Sequence, residues 1–237
     1  MPRNVKAPLL AACGCALAIV PLAIAAYSFN PAETLDRHLL FDLRREVGFG
    51  HTFAAAFANL GGLPALLVML TAICAIGLGF GRRREVLVAL VLVAGANVTT
   101  QLLKAVLEHA RTKAFERGWE LPWPNSFPSG HTTAAASIAV ALLLVVPAGY
   151  RLLAVGIGAV LTGGVGISVV MLGWHYPSDV LGGLLVVAAW ALCAVAYLRQ
   201  RVMPEGGLEP TSPQGQSILS RSRMPIPPLR RDAAKEL

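Results

Sequence analysis

At 237 residues, 55% of them apolar and only 14% charged, with a mean hydropathy of +0.62, the chain suits one domain but not a soluble one. Its net charge of +7 is gathered into a few connections and a tail, which points to membrane topology and away from a nucleic-acid partner. Residues 8–27, 51–80, 86–103, 132–150, 152–174 and 180–198 contain no Asp, Glu, Lys or Arg. Each run is about as long as a helix needs to cross roughly 30 Å of hydrocarbon, where backbone amides must bond within their own segment. The expectation is all-α: a bundle of six transmembrane helices over residues 1–202.

The first run follows Arg3 and Lys6 and contains Pro21. Ala23-Ile24-Ala25 resembles a signal-peptide cleavage site, but the length of the run favours a retained span. In the connection over 28–50, Asn30-Pro31-Ala32-Glu33 offers a helix cap, a proline at the first helical position and a capping Glu. Leu35, Leu39, Leu43 and Val47 then recur every four residues opposite Arg37, Arg44 and Arg45, the pattern of a short amphipathic helix on the membrane surface. A lid packed on the bundle is the favoured reading, and a gate for lipid headgroups the alternative. Arg82, Arg83 and Arg84 fill the short turn between the second and third runs.

The connection over 108–128 is polar and ends in Leu-Pro-Trp-Pro-Asn-Ser-Phe-Pro, too rich in proline for a continuous helix. Its Trp119 and Trp123 suit a membrane–water interface. In the fifth run Ala154, Gly158, Thr162 and Gly166 form a ladder of small residues, which predicts close helix packing and a central place in the bundle. After residue 202, Pro204, Pro210, Pro213, Pro225, Pro227 and Pro228 with scattered Gly, Ser and Arg predict a disordered basic tail over 203–237. Cys13, Cys15, Cys74 and Cys193 all lie in apolar runs and read as small packing residues.

Thirteen of the 20 basic residues fall on one side of this arrangement: Arg3, Lys6, Arg82, Arg83, Arg84, Arg151, Arg199, Arg201, Arg221, Arg223, Arg230, Arg231 and Lys235. The positive-inside rule makes that side cytoplasmic, with both termini inside. Three polar groups then reach the outer face together. Lys104 and Arg111 stand at the exit of the third run, Pro128-Ser129-Gly130-His131 opens the fourth, and His175 with Asp179 opens the sixth. Each suits a phosphate. Lys104 and Arg111 supply fixed positive charge, and Ser129-Gly130 offers the free amides of a helix N-terminus. His175 and Asp179, four residues apart, share a helix face, so the carboxylate can hold one ring nitrogen and leave the other to attack phosphorus.

Lys104, six residues, then Arg111; Pro128-Ser129-Gly130-His131; and Ser168, six residues, His175, three residues, Asp179 resemble the three signature motifs of the type-2 phosphatidic acid phosphatase superfamily. The stretch Gly173-Trp174-His175-Tyr176-Pro177-Ser178-Asp179-Val180-Leu181-Gly182-Gly183 is similar to its bacterial members, and the resemblance covers residues from about 85 to 198. It implies a six-helix membrane enzyme that hydrolyses phosphate esters or anhydrides without a metal or other cofactor. It further implies His175 as the nucleophile that becomes phosphohistidine, Asp179 as its orienting acid and His131 as the donor of a proton to the leaving oxygen. Lys104, Arg111, Ser129 and the Gly130 amide would hold the phosphoryl oxygens.

Two positions depart from the pattern. Thr112 follows Arg111 where the family has Pro, and Val169 follows Ser168 where it has Arg. The second departure removes a phosphate-binding guanidinium and raises two alternatives. Either another cation compensates, with Arg117 first and Lys113 next, ahead of Arg44 and Arg45, or the site is weak. The leading expectation is a phosphatase of the plasma membrane acting on a lipid phosphate at the outer face. A polyprenyl phosphate or diphosphate is favoured because the Ala-, Val-, Gly- and Arg-rich usage resembles a GC-rich bacterium. The alternative is a silent lipid-phosphate binding protein or transporter.

Overall fold

The structure, a computed structural model, describes residues 3–45, 50–107 and 126–200, and every element among them except one 3-10 turn is an α-helix. In chain order these are α1 (Arg3–Ser28), α2 (Asn30–Arg45), α3 (His51–Leu60), α4 (Leu63–Gly79), α5 (Arg83–Leu107), α6 (Gly130–Val145), α7 (Arg151–Met171) and α8 (Pro177–Gln200), with the 3-10 turn Ala148–Tyr150 before α7. Among the described residues four helical stretches are long and apolar enough to cross a membrane: Val5–Ala26 in α1, α5, the turn with α7, and α8. The described residues are all-helical, and the molecule is a membrane protein. The basic tail expected over 203–237 lies outside the described residues.

Two of the six apolar runs differ from plain spans. The run 51–80 folds as α3 and α4, bent by 56°, and would make a fifth span only if the pair crosses as one. The break falls at Gly61-Gly62, where the chain presses on the start of α6. A Cβ on Gly61 would stand 2.8 Å from both the Cβ and the carbonyl oxygen of His131, so only glycine permits the approach. The second is α6, with 16 residues. At 1.5 Å per residue it is about 24 Å long, short of the hydrocarbon thickness.

This short helix, not α7, is the centre of the bundle. It touches α3, α4, α5, α7 and α8, and Thr132 to Ile138, Ala141 and Val145 are buried along it. The small-residue ladder of α7 does serve packing: a Cβ on Gly158 would stand 2.8 Å from the Cβ of Ala139, and Ala154 is buried. The opposite face of α7, with Leu152, Ile157 and Val160, is exposed, which removes it from the centre. The main core joins Leu66 and Ile73 of α4, Leu92 and Val93 of α5 and Ile138 and Val145 of α6. Cys74 packs against that core, whereas Cys13 and Cys193 are exposed on helix surfaces, so packing describes only part of the cysteine set.

The surface helix forms as expected, with Leu35 and Leu39 of its stripe on the outside and Leu43 packed against the bundle. Helix α2 begins at Asn30, and the Phe29 carbonyl accepts the Ala32 and Glu33 amides, so Asn30 is already inside the helix. Glu33 pairs with Arg37 at 3.8 Å. Leu35 and Leu39, read as the stripe that meets apolar surroundings, are 60% and 42% exposed in the isolated chain. The face turned to the bundle is Asp36 and Leu40.

Candidate active site

The site assembles where α5 ends and α6 and α8 begin, and two local devices build it. The first is the turn from α7 into His175. The Gly173 amide returns to the Val170 carbonyl at 2.8 Å and the Trp174 amide to the Val169 carbonyl at 2.8 Å, closing the end of α7. That closure needs a left-handed residue just past the helix, and Gly173 supplies it at φ 70°. The His175 amide shares the Val169 carbonyl at 3.2 Å, so the residue is tied to the closed end of α7.

The second device is the Gly182-Gly183 pair of α8. A Cβ on Gly182 would stand 2.5 Å from the Phe127 ring, and one on Gly183 would stand 2.8 Å from the Ser129 carbonyl. Two missing side chains let α8 lie directly on the segment 126–129. The Ser129 amide then donates to the Asp179 carbonyl at 2.9 Å and joins the starts of α6 and α8.

Within this frame Asp179 is fully buried and His175 is 2% exposed. Asp179 Oδ2 lies 3.3 Å from His175 Nδ1 and accepts the Tyr176 amide at 2.9 Å and the Ser126 hydroxyl. The carboxylate is thus oriented by two donors besides the imidazole. The His131 ring stands near that of His175, with ring centroids 6.2 Å apart. Trp174 packs beside His131 at 5.4 Å, bounding its ring on one side.

Lys104 lies in the last turn of α5, and its Nζ would be 3.8 Å from a Cβ on Gly130, so the ammonium stands near the first residue of α6. Ser129 caps α6, with its hydroxyl oxygen accepting the Thr132 amide at 3.3 Å. Its own backbone amide is committed to Asp179, so the anion-binding amides reduce to those from Gly130 onward. The Ser129 hydroxyl proton remains as a donor, because Ser129 Oγ accepts from both Thr132 Oγ1 and the Thr132 amide. The structure therefore draws together His175, Asp179, His131, Lys104, Ser129 and Gly130. Arg111, Lys113 and Arg117 lie outside the described residues. Among the described residues no three of His, Cys, Asp and Glu gather as a metal-binding group.

Val169 is fully buried. Its side chain belongs to an apolar cluster with Ala58, Ala135 and Val165, against which Trp174 and Leu172 pack. Sequence reasoning missed two further residues. Ser126 was read only as part of a proline-rich segment, although its hydroxyl reaches Asp179. Asp36 was one polar residue of a surface helix, yet its carboxylate accepts the Ser178 amide at 3.0 Å and the Ser178 hydroxyl. Burial pushes the Asp36 carboxyl above the usual carboxylate range, against the opposing pull of the two Ser178 donors.

The family model described as PAP2 superfamily matches residues 85–203, half of the chain and every residue of the described site except Asp36. The chain belongs to the PAP2 superfamily. Among curated PAP2-related proteins, phosphatidylglycerophosphatase B of Escherichia coli (strain K12) is 36% identical over 106 residues, 44% of this chain, and that of Shigella flexneri matches to the same extent. The match spans 40% of the length of those relatives. The crystal structure described as the first transmembrane PAP2 type phosphatidylglycerolphosphate phosphatase from Bacillus subtilis superposes with a TM-score of 0.68 at 22% identity. It covers 82% of this chain and 98% of that one, which shows a shared fold.

Proposed function

We propose that this PAP2 protein is a metal-independent lipid phosphatase that works through a phosphohistidine on His175. The observation that carries the reading is the contact of Asp179 Oδ2 with His175 Nδ1, with the His131 ring centroid 6.2 Å from that of His175. A carboxylate on one ring nitrogen keeps the other nitrogen an unprotonated nucleophile. That nitrogen attacks phosphorus, the bond from phosphorus to the lipid oxygen breaks, and His131 protonates the departing oxygen. Water then attacks the phosphohistidine and releases inorganic phosphate, with His131 taking up a proton. Lys104, the Gly130 amide and the Ser129 hydroxyl would meet the phosphoryl oxygens, joined by Arg111, with Arg117 or Lys113 as the cation that offsets Val169.

The substrate is a phosphate or diphosphate on a membrane lipid. The residue usage favours a polyprenyl carrier, and the names of the bacterial relatives bring phosphatidylglycerophosphate in as the second candidate. The charge asymmetry supports six spans, with the site outside, the termini and basic tail in the cytoplasm and the plasma membrane as the location. A silent binding protein fits less well, because binding phosphate requires neither a nucleophile nor its orienting acid.

The test is phosphate release by the purified chain in detergent from both lipids in excess chelator. The expected result is turnover on at least one lipid, inhibition by vanadate and near-complete loss in His175→Ala. Turnover that vanishes with chelator and returns with magnesium would refute the mechanism. Failure on every lipid, with phosphate still bound, would favour the binding protein.

A further inference from the structure

Helix α2 is not simply laid over the site. Leu40 is fully buried against Val170, at the end of α7, and Tyr176, the residue after His175. One turn earlier, Asp36 Oδ1 accepts the Ser178 amide at 3.0 Å, and Oδ2 accepts the Ser178 hydroxyl. The chain reaches across 142 residues to make these bonds, and both land next to Asp179. Ser178 is the second residue of α8, and its predecessor Pro177 has no amide hydrogen. The first free amide of the helix that carries Asp179 is therefore capped by a carboxylate from another helix, where an anion also complements the helix dipole.

The Asp179 side chain is in turn tied to the Tyr176 amide, so residues 175–179 form a small closed unit. Asp36 and Leu40 hold that unit from outside. We infer that Asp36 is a positioning residue of the site: bonded to Ser178 from α2, it fixes the start of α8 and with it the Asp179–His175 contact. The inference rests on the phosphohistidine reading and adds to it a residue outside the three motifs. It also gives α2 a role beyond that of a cover, since movement of this surface helix would be felt at the nucleophile.

The test uses the full-length protein in detergent, with kcat and KM for phosphate release on one lipid and gel filtration to verify folding. The variants are Asp36→Ala, Asp36→Asn, Ser178→Ala and the double Asp36→Ala/Ser178→Ala, with His175→Ala as the reference. Asp36→Ala is expected to lower kcat at least tenfold with KM changed by less than about threefold, because the nucleophile is misaligned while the phosphate ligands stay. Asp36→Asn is expected to restore most of the rate, since an amide oxygen still accepts the Ser178 amide. The double variant should be no slower than Asp36→Ala, because the two residues act through one contact. An Asp36→Ala protein with kcat within twofold of the parent, or one that raises KM alone, would overturn the inference. If Asp36→Ala does not fold, Ser178→Ala and Asp36→Asn decide: both at the parental kcat supports nothing beyond a structural cap and overturns it. Loss of kcat in Ser178→Ala, with rescue in Asp36→Asn, sustains it. A fully active His175→Ala would refute the phosphatase mechanism itself, whatever the Asp36 variants do.

Discussion

Val169→Arg restores the residue that the family motif carries after Ser168, and motif logic alone expects a faster enzyme. A charge-assisted bond to a phosphoryl oxygen contributes about 1.5–3 kcal/mol, or roughly ten- to a hundredfold in rate. The surroundings of Val169 argue the reverse. Its side chain has no exposed surface and packs among Ala58, Ala135, Val165 and Trp174. Forcing a larger side chain into such a cluster costs about 1–3 kcal/mol, and an unpaired buried guanidinium costs several kcal/mol more. The penalties exceed the gain. They also fall on Trp174, which flanks His131, and on the helix end that presents His175. The expected outcome is a rate at least tenfold below the parent, together with unfolding in detergent several degrees lower. Phosphate release and a thermal melt on the same preparation measure both, with Val169→Ala as the control that removes packing without adding charge. A rate more than tenfold above the parent with an unchanged melt would refute the reasoning: the arginine would then reach the phosphate and Val169 would be a lost ligand.

Gly61→Ala places a methyl group against the backbone of His131, so kcat is expected to fall more on lipid substrates than on an activated aryl phosphate, which needs little acid assistance. An equal fall on both would separate Gly61 from the role of His131. For Asp36, burial makes ionisation harder in the folded state, so its stabilising contribution is full below the ordinary carboxylate pKa and declines as pH rises through the folded one. Asp36→Asn cannot titrate, so its melting temperature relative to the parent should rise between about pH 4 and neutrality. Parallel melting curves would contradict that sign. Finally, a cysteine at residue 118 should react with a membrane-impermeant thiol reagent in intact cells and one at residue 83 should not; the reverse pattern would turn the proposed topology over. Arg117→Ala and Lys113→Ala, each within twofold of the parental rate, would dismiss both compensating cations.

Much was legible from spacing alone. Apolar runs free of charge marked where helices lie, since a charge inside hydrocarbon is expensive and lipid-exposed backbone must close its own hydrogen bonds. The four-residue separation of His175 and Asp179 pointed to the right pair, but His175 lies in the bend before α8, so the two meet across a helix start and not on one helix face. The place of Ser129-Gly130 before an apolar run marked the start of a helix, and α6 begins at Gly130. Each of these depends on neighbours in the chain.

What depends on distant residues was not legible. Nothing near Gly61 says that His131 will press on it, so the second apolar run read as one span where the tertiary contact breaks it into α3 and α4. The periodicity of α2 marks a leucine stripe correctly, but which face turns inward was decided by Ser178, 142 residues away, which supplies two donors to a carboxylate that would otherwise be buried alone. That Val169 sits in an apolar cluster likewise depends on distant residues, Ala58 and Ala135. By itself the sequence determined the helices, the membrane setting and the motif residues, because these follow from local periodicity and solvation. The tertiary structure alone decided that α6 is central, that Ser126 bonds to Asp179 and Asp36 to Ser178, and that the Ser129 amide is already taken, because hydrogen-bond partners and close approaches are properties of surfaces that meet only on folding.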